Sequence, residues 1–334
     1  MTLNTTWILD MFPSAEETTG SECNEIHFPI ASDFLGCLSV LPFKQAPYCG
    51  TLENIKAGRW LFRGHWDEGW ALRPSAHRGA QPFNKIRSSP LPAPNSVTKK
   101  EYWPKMVEAE VFALEQFQTL ANDSSLPCEF SAAIYDEIAS MRDYYSRQHY
   151  AEAEFFPKSK WYPIMARAQH HGIPTRLLDF TSDSLHAAFF AASKLVDEPD
   201  HSATPSQKLC VWAFFDTDFP DLSREPDINR ESKQWLMVPA ISQLGSNLAS
   251  QRGSLILHEG ANKYFENHGE WPDFFSCKSD VVDRKKRFMK LTLAQDQGPE
   301  MLLLLARKGI TPVRIYPSLD NVTETLKYLR WLEG

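Results

Sequence analysis

The sequence predicts an α+β fold, a mixed sheet core with helices packed against it. Three observations carry that prediction. Hydrophobic residues make up 43% and charged residues 23% of the 334 positions, enough apolar material to bury a core and unlike a disordered chain. Segments of helical and strand-like pattern are mixed along the chain without regular strand–helix–strand alternation, which disfavours a doubly wound sheet. No internal repeat is present. The length suits one large domain or two ordinary ones.

Taken in order, residues 1–50 read as an irregular segment packing on the core, because Gly20, Pro29, Gly36, Pro42, Pro47 and Gly50 interrupt any periodicity. Trp60-Leu61-Phe62-Arg63 reads as a short strand ending at Gly64. Arg78 to Thr98, rich in Pro, Ser and Asn, is expected to be an exposed, mobile loop. Helical spacing begins near Glu101 and runs through Met106, Val107, Val111, Leu114, Phe117 and Leu120. Further helices are predicted at Ala132 to Met141 and at Tyr162 to His171, the latter stopped by Gly172. Leu177 to Phe180 reads as a strand leading into Thr181-Ser182-Asp183-Ser184, whose oxygens can cap a helix from Leu185 to Leu195. Strands are expected at Leu209 to Phe215, Leu255 to His258 and Val313 to Tyr316, and a helix ends at Gly309. Residues 318–334 form a final amphipathic helix in this reading.

Several function classes fall away. With 35 Lys+Arg against 42 Asp+Glu the net charge is −7, which gives no electrostatic basis for tight nucleic-acid binding. Arg284-Lys285-Lys286-Arg287 reads as a solvated face rather than a nucleic-acid patch. No apolar run approaches the roughly 20 residues of a membrane span, and the N-terminus lacks the pattern of a signal peptide. Cys23, Cys37, Cys49, Cys128, Cys210 and Cys277 form no CxxC pair, so a reduced, cytoplasmic protein is expected. There is no GxGxxG, no Walker loop and no GxSxG elbow, and His258-Glu259 does not continue into a zincin motif.

Two segments concentrate polar groups among apolar ones. In Phe62-Arg63-Gly64 the arginine closes an apolar strand, where it either forms a buried ion pair or clamps a carboxylate or phosphate. Gly64 would let a planar ligand approach the backbone. The second segment runs from Gln169-His170-His171-Gly172 through Arg176 and Asp179 to Thr181-Ser182-Asp183, with Pro174 stiffening the connection. Adjacent helical histidines point about 100° apart and rarely share an ion, so no metal is expected. A weaker third segment is Gln251-Arg252-Gly253 at the mouth of an apolar strand.

Phe62-Arg63-Gly64, the run from Ala168 to Thr181, the alanine-rich Ala187 to Ala192 and Gln251-Arg252-Gly253 together resemble the FRG domain family. The resemblance covers about residues 40–317, and we delimit an FRG-like domain at 51–317. Its segment order is similar to that of ADP-ribosyltransferases. In those proteins a first strand holds NAD, a Ser/Thr-rich strand runs into an alanine-rich helix, and a third strand opens with a catalytic glutamate. The resemblance implies an ADP-ribosyltransferase-like architecture with NAD as substrate. Phe62, Arg63, Gly64, His170, Arg176, Thr181 and Ser182 would bind it, with Arg63, Asp179 and Gln251 in catalytic positions. Gln251 or Gly253 falls where the glutamate belongs; glutamine loses the charge and glycine loses both charge and hydrogen bond. Asp179 or Glu259 are the available carboxylate substitutes.

Three readings follow. The chain is a divergent ADP-ribosyltransferase or NAD-consuming enzyme, a toxin-like effector in bacterial antiviral defence with a protein or nucleic-acid acceptor. Alternatively, the same pocket binds a nucleotide or peptide without reaction. In the third, Arg63 and Asp179 form a sealed pair that only locks the core, and both would then be shut off from solvent.

Overall fold

The computed structural model describes residues 5–19, 21–44, 60–79, 81–86, 90–126, 156–197, 206–215, 235–238, 253–275 and 288–332. Among them, eight strands make one sheet: β1 (Glu16–Glu17), β2 (Asn24–Phe28), β3 (Trp60–His65), β4 (Leu177–Thr181), β5 (Lys208–Phe215), β6 (Trp235–Val238), β7 (Gly253–His258) and β8 (Phe288–Ala294). Their spatial order is β1-β2-β8-β5-β3-β4-β7-β6. Every pairing is antiparallel except β2 with β8. This is an α+β arrangement.

The helices are α1 (Thr6–Met11), α2 (Ala31–Lys44), α3 (Lys99–Asp123), α4 (Tyr162–His170), α5 (Ser184–Asp197), α6 (Ala261–His268), α7 (Gly298–Arg307), α8 (Pro312–Ile315) and α9 (Leu319–Leu332). Two apolar layers hold them to the sheet. One joins α2, α5 and α7 to β2, β8, β5 and β3; the other joins α3, α4 and α6 to β4, β7 and β6. A third layer, built around Leu61, Leu178, Trp212, Phe214 and Phe274, covers the opposite face. β5 shows why its sequence does not alternate: Leu209, Val211 and Ala213 enter the first layer while Cys210, Trp212 and Phe214 enter the third. A strand buried on both faces reads as one apolar run.

Local chemistry sets the helix ends. Thr98 caps α3 in a reciprocal box with Glu101. The Asp183 carboxylate accepts from the amides of Leu185 (3.0 Å) and His186 (3.3 Å), capping α5 as the sequence predicted. Gly172 and Gly309 follow α4 and α7 with φ of 86° and 78°, a left-handed conformation that favours glycine.

The structure departs from the sequence reading in three places. Residues 1–50 are not simply irregular, since β2 adds five residues to the sheet and α2 runs for 14 residues despite Gly36 and Pro42. Burial of Phe34, Leu35, Leu38 and Leu41 outweighs those weak helix formers. Val313 to Tyr316 is not a strand: α8 spans Pro312–Ile315, where Pro312 at the first helical position presets φ and overrides two β-branched residues. The segment from Arg78 to Thr98 is not a free excursion over its described residues, because Phe83 and Leu91 are buried and the Gln81 side chain bonds both backbone groups of Leu91. The helix expected at Ala132 to Met141 lies outside the described residues, as do Arg284 to Arg287, Cys49, Cys128 and Cys277. Cys23, Cys37 and Cys210 are buried free thiols, each pushed up by burial, Cys23 to about 11 and Cys37 to about 12.

Candidate functional site

The sheet is nearly divided between β3 and β4. β3 pairs with β5 over six positions, and β4 with β7 over five, but β3 meets β4 only where Phe62 faces Thr181. Beyond that bridge the strands part, and peptide groups that a ladder would satisfy need other partners. Arg63 spans the gap. Its Nη1 donates to the Asp179 carbonyl at 2.6 Å and lies 2.7 Å from the Asp179 carboxylate, while its Nε donates to His65 Nε2 at 2.9 Å. Five donors on a planar head make this three-way bridge possible.

A cavity of about 250 Å³ opens at the split. Arg63, Asp179, Gln169, Thr181 and Ser254 provide its polar lining. His170, Phe190 and Tyr316 form an aromatic wall, with ring centroids 6.0 Å apart for His170–Tyr316 and 6.2 Å for Phe190–Tyr316. Backbone around Gly253, at the start of β7, closes another side. The Arg63 side chain is 11% exposed and that of Asp179 58%. The pair is therefore open to solvent on the acid's side, contrary to the sealed-pair reading.

The electrostatics follow from this geometry. Crowding in the floor pushes the Asp179 carboxyl up, but the Arg63 charge and hydrogen bond outweigh it and hold the group below its ordinary range, so Asp179 is ionised. Arg78 acts on the pair from outside the lining: neighbouring atoms and the like charge of Arg63 pull its guanidinium down to about 10. His65, buried beside Arg63 and Arg78, falls to about 2 and stays neutral, which leaves Nε2 free to accept from Arg63. His170 is lowered by burial and then by His171, so the wall carries no charge from it at neutral pH. Gln169 fixes the acid from behind, its amide donating to Asp179 Oδ1 at 3.1 Å while its carbonyl accepts from the Thr175 hydroxyl.

The structure brings Phe62, Arg63, Gly64, His170, Asp179 and Thr181 to one cleft. Thr181 turns its hydroxyl to the Asp183 amide at 3.0 Å, so that oxygen is already engaged in the turn. Ser182, in the same turn, is not among the lining residues. Gln251 lies outside the described residues.

Arg176 is a correction. It is 1% exposed and paired with an equally buried Glu110 at 2.8 Å; it also donates to the Phe156 carbonyl and to Asn262, each at 3.1 Å. Its head lies over the Phe156 ring, so it fastens α3 and α6 to the strand and does not line the cleft. Glu259, just past the end of β7, is not among the lining residues either.

Gly64 has a role the sequence reading did not give it. A Cβ there would stand 2.0 Å from the Ala187 carbonyl and 2.5 Å from the Ala191 amide, both backbone atoms of α5. The glycine and the alanine-rich helix are two halves of one close contact. Sequence reasoning missed Gln169, Phe190, Ser254 and Tyr316 as site residues. Only Gln169, inside the dense block, carried a local signal; Tyr316 is brought in by the chain's return after α8.

Comparison with known families agrees with the signature. Residues 58–200 match the family model described as the FRG domain. The chain thus carries an FRG domain, and the matched stretch includes β3, β4 and α5. The cleft extends past it, since Gly253 and Tyr316 lie beyond residue 200. No curated protein and no solved structure matches the chain.

Proposed function

We propose that this cleft binds NAD and that the chain is a divergent ADP-ribosyltransferase or NAD-consuming enzyme, a toxin-like effector in bacterial antiviral defence. The observation that carries the reading is the solvent-open Arg63–Asp179 pair on the floor of a cleft with an aromatic wall. A ring system can lie against Tyr316 and His170, while guanidinium groups favour phosphate nearby. At about 250 Å³ the cavity is smaller than the ~300–1,000 Å³ of pockets that enclose a whole ligand, so it suits one end of a dinucleotide. The strand order lends support too, because β3, β4 and β7, the three segments singled out by the resemblance, are neighbours.

In this reading the bond between ribose C1′ and the nicotinamide nitrogen breaks, and the electron pair leaves with nicotinamide, which becomes neutral. Positive charge then builds on the sugar, and ionised Asp179 is placed to stabilise it. Water or an acceptor side chain forms the new bond at C1′ and gives up its proton to solvent. One observation favours the alternative of a non-catalytic nucleotide- or peptide-binding module: β7 opens with Gly253 opposite Thr181, where the resemblance expects a glutamate.

Purified protein incubated with NAD tests the reading, following nicotinamide release and mass added to protein or nucleic acid. Turnover that disappears in folded Arg63→Ala and Asp179→Asn variants is the expected result. Saturable NAD binding without turnover would move the assignment to the binding module, and neither binding nor turnover would overturn both.

A further inference from the structure

Behind the Asp179 carboxylate runs a chain of hydrogen bonds whose direction is fixed from its far end. The Leu177 amide donates to the Thr175 hydroxyl oxygen at 3.2 Å. An amide N–H can only donate, and the hydroxyl in turn gives its proton to the Gln169 carbonyl oxygen. With its carbonyl so engaged, the Gln169 side chain presents N–H to Asp179 Oδ1, which it meets at 3.1 Å. The flipped amide would set carbonyl oxygen against carboxylate oxygen, two acceptors with no proton between them. Thr175 cannot swing away to allow that. It is fully buried, its amide donates to Ser75 Oγ at 3.1 Å, and its carbonyl accepts from the Ala76 amide at 3.0 Å.

The turn from α4 to β4 assembles this chain. Gly172, at φ 86°, reverses the backbone after α4, and the Ile173 amide returns to the Ala168 carbonyl at 3.0 Å. Thr175 is thereby laid beside Gln169, and Asp179 follows along the strand. From the other side Arg63 Nη1 also meets Oδ1, at 2.7 Å, so both side-chain donors converge on one oxygen of the acid. Oδ2 is clear of both, on a side chain that is 58% exposed.

We infer that Thr175 is a positioning residue: through Gln169 it holds the Asp179 carboxylate by Oδ1 and leaves Oδ2 to face the positive charge of the ligand. The ligand's charge follows from the NAD reading, on which that last step rests; the anchoring of Oδ1 is independent of it. The charged groups facing Asp179 are Arg63 on β3 and Arg78 beyond it; His65 and His170 stand nearby, and β7 sets apolar Leu255 opposite. None of these is a hydrogen-bond partner of Thr175, so a change in the acid on substituting Thr175 reports the chain through Gln169.

The test is a carbon-13 NMR titration of the Asp179 carboxyl in the full chain without ligand, beside the pH dependence of NAD turnover. Hydrogen bonds to the ionised form lower a carboxyl's pKa, so losing one raises it. Thr175→Val is expected to raise the titration midpoint and to lower kcat about tenfold, the size of one hydrogen bond to a charged group. KM should change little, because the charge builds only in the transition state. Thr175→Ser should keep both at wild-type values. Should Thr175→Val fail to fold, Thr175→Cys, with a weak donor in the same place, takes its role. Gln169→Glu sets a second carboxylate against Asp179 and should raise the midpoint further. A midpoint unmoved in the folded Thr175 variant or in Gln169→Glu, or a serine variant no better than valine, would overturn the inference. Wild type that does not turn over NAD would sink the NAD reading instead, and the titration would still decide the positioning role.

Discussion

Gly64 gives the sharpest separation between a packing role and a ligand role. In Gly64→Ala the new methyl would sit 2.0 Å from the Ala187 carbonyl oxygen and 2.5 Å from the Ala191 nitrogen. Both are main-chain atoms of α5 and cannot rotate away, so the helix must retreat by more than 1 Å to reach ordinary contact distance. That retreat opens the layer in which Ala187, Ala188, Ala191 and Ala192 are all buried against the sheet. Overpacked core positions cost about 1–3 kcal/mol, and a clash with two backbone atoms belongs at or above the top of that range. Equilibrium urea unfolding, followed by tryptophan fluorescence, reads the loss as a lower midpoint at unchanged slope. If Gly64 served instead to admit a planar ligand, the variant would unfold at the wild-type midpoint and fail only in binding. A wild-type midpoint would therefore refute the packing argument.

Two other outcomes follow from buried groups. Glu110→Gln removes the charge that neutralises fully buried Arg176, and is expected to cost about 3–5 kcal/mol in the same assay; a loss under 1 kcal/mol would mean the pair relaxes to solvent. The buried histidines make stability fall in mild acid. His258 is lowered to about 4 by burial, and His77, stacked on Trp271 at 4.1 Å, is held well below 6.5 by burial and by Arg176. Both bind protons more readily unfolded, so stability is full above pH 6.5 and declines as pH falls towards the folded values. Between pH 7.5 and 5 the decline is roughly 2 kcal/mol for a histidine shifted like His258. His77→Phe should keep the stack and flatten the pH profile of the urea midpoint; an unchanged slope would count against this assignment.

The sequence made the site's chain segments legible and left the direction of several side chains unread. Strand β3, strand β4 with its Asp183 cap, and helix α5 stood out because aromatic and β-branched residues, a capping oxygen and a run of alanines are local signals. Arg63 and Arg176 could not be told apart in the same way. Each ends or begins an apolar strand, and only the third dimension shows that Arg176 is paired with the equally buried Glu110, 66 residues earlier, while Arg63 is paired with an acid that faces solvent. β2 and α2 were hidden because their stability comes from burial against β8 and α5, contacts that no local pattern reports.

The divided sheet explains why one arginine stands at the centre of the site. Where β3 and β4 part, the exposed peptide groups invite water or another strand. Arg63 meets that need with one head group, taking the Asp179 carbonyl, the Asp179 carboxylate and the His65 ring together. A lysine offers a single point charge and could not hold all three. The same contacts keep Asp179 ionised with its carboxylate towards solvent, and Gln169 steadies it from the other side. The device that repairs the break in the sheet thus also presents an ionised carboxylate against an aromatic wall. The proposed reaction rests on that combination, and because the same contacts hold the sheet together, the Arg63 and Asp179 variants test the proposal only when shown to remain folded.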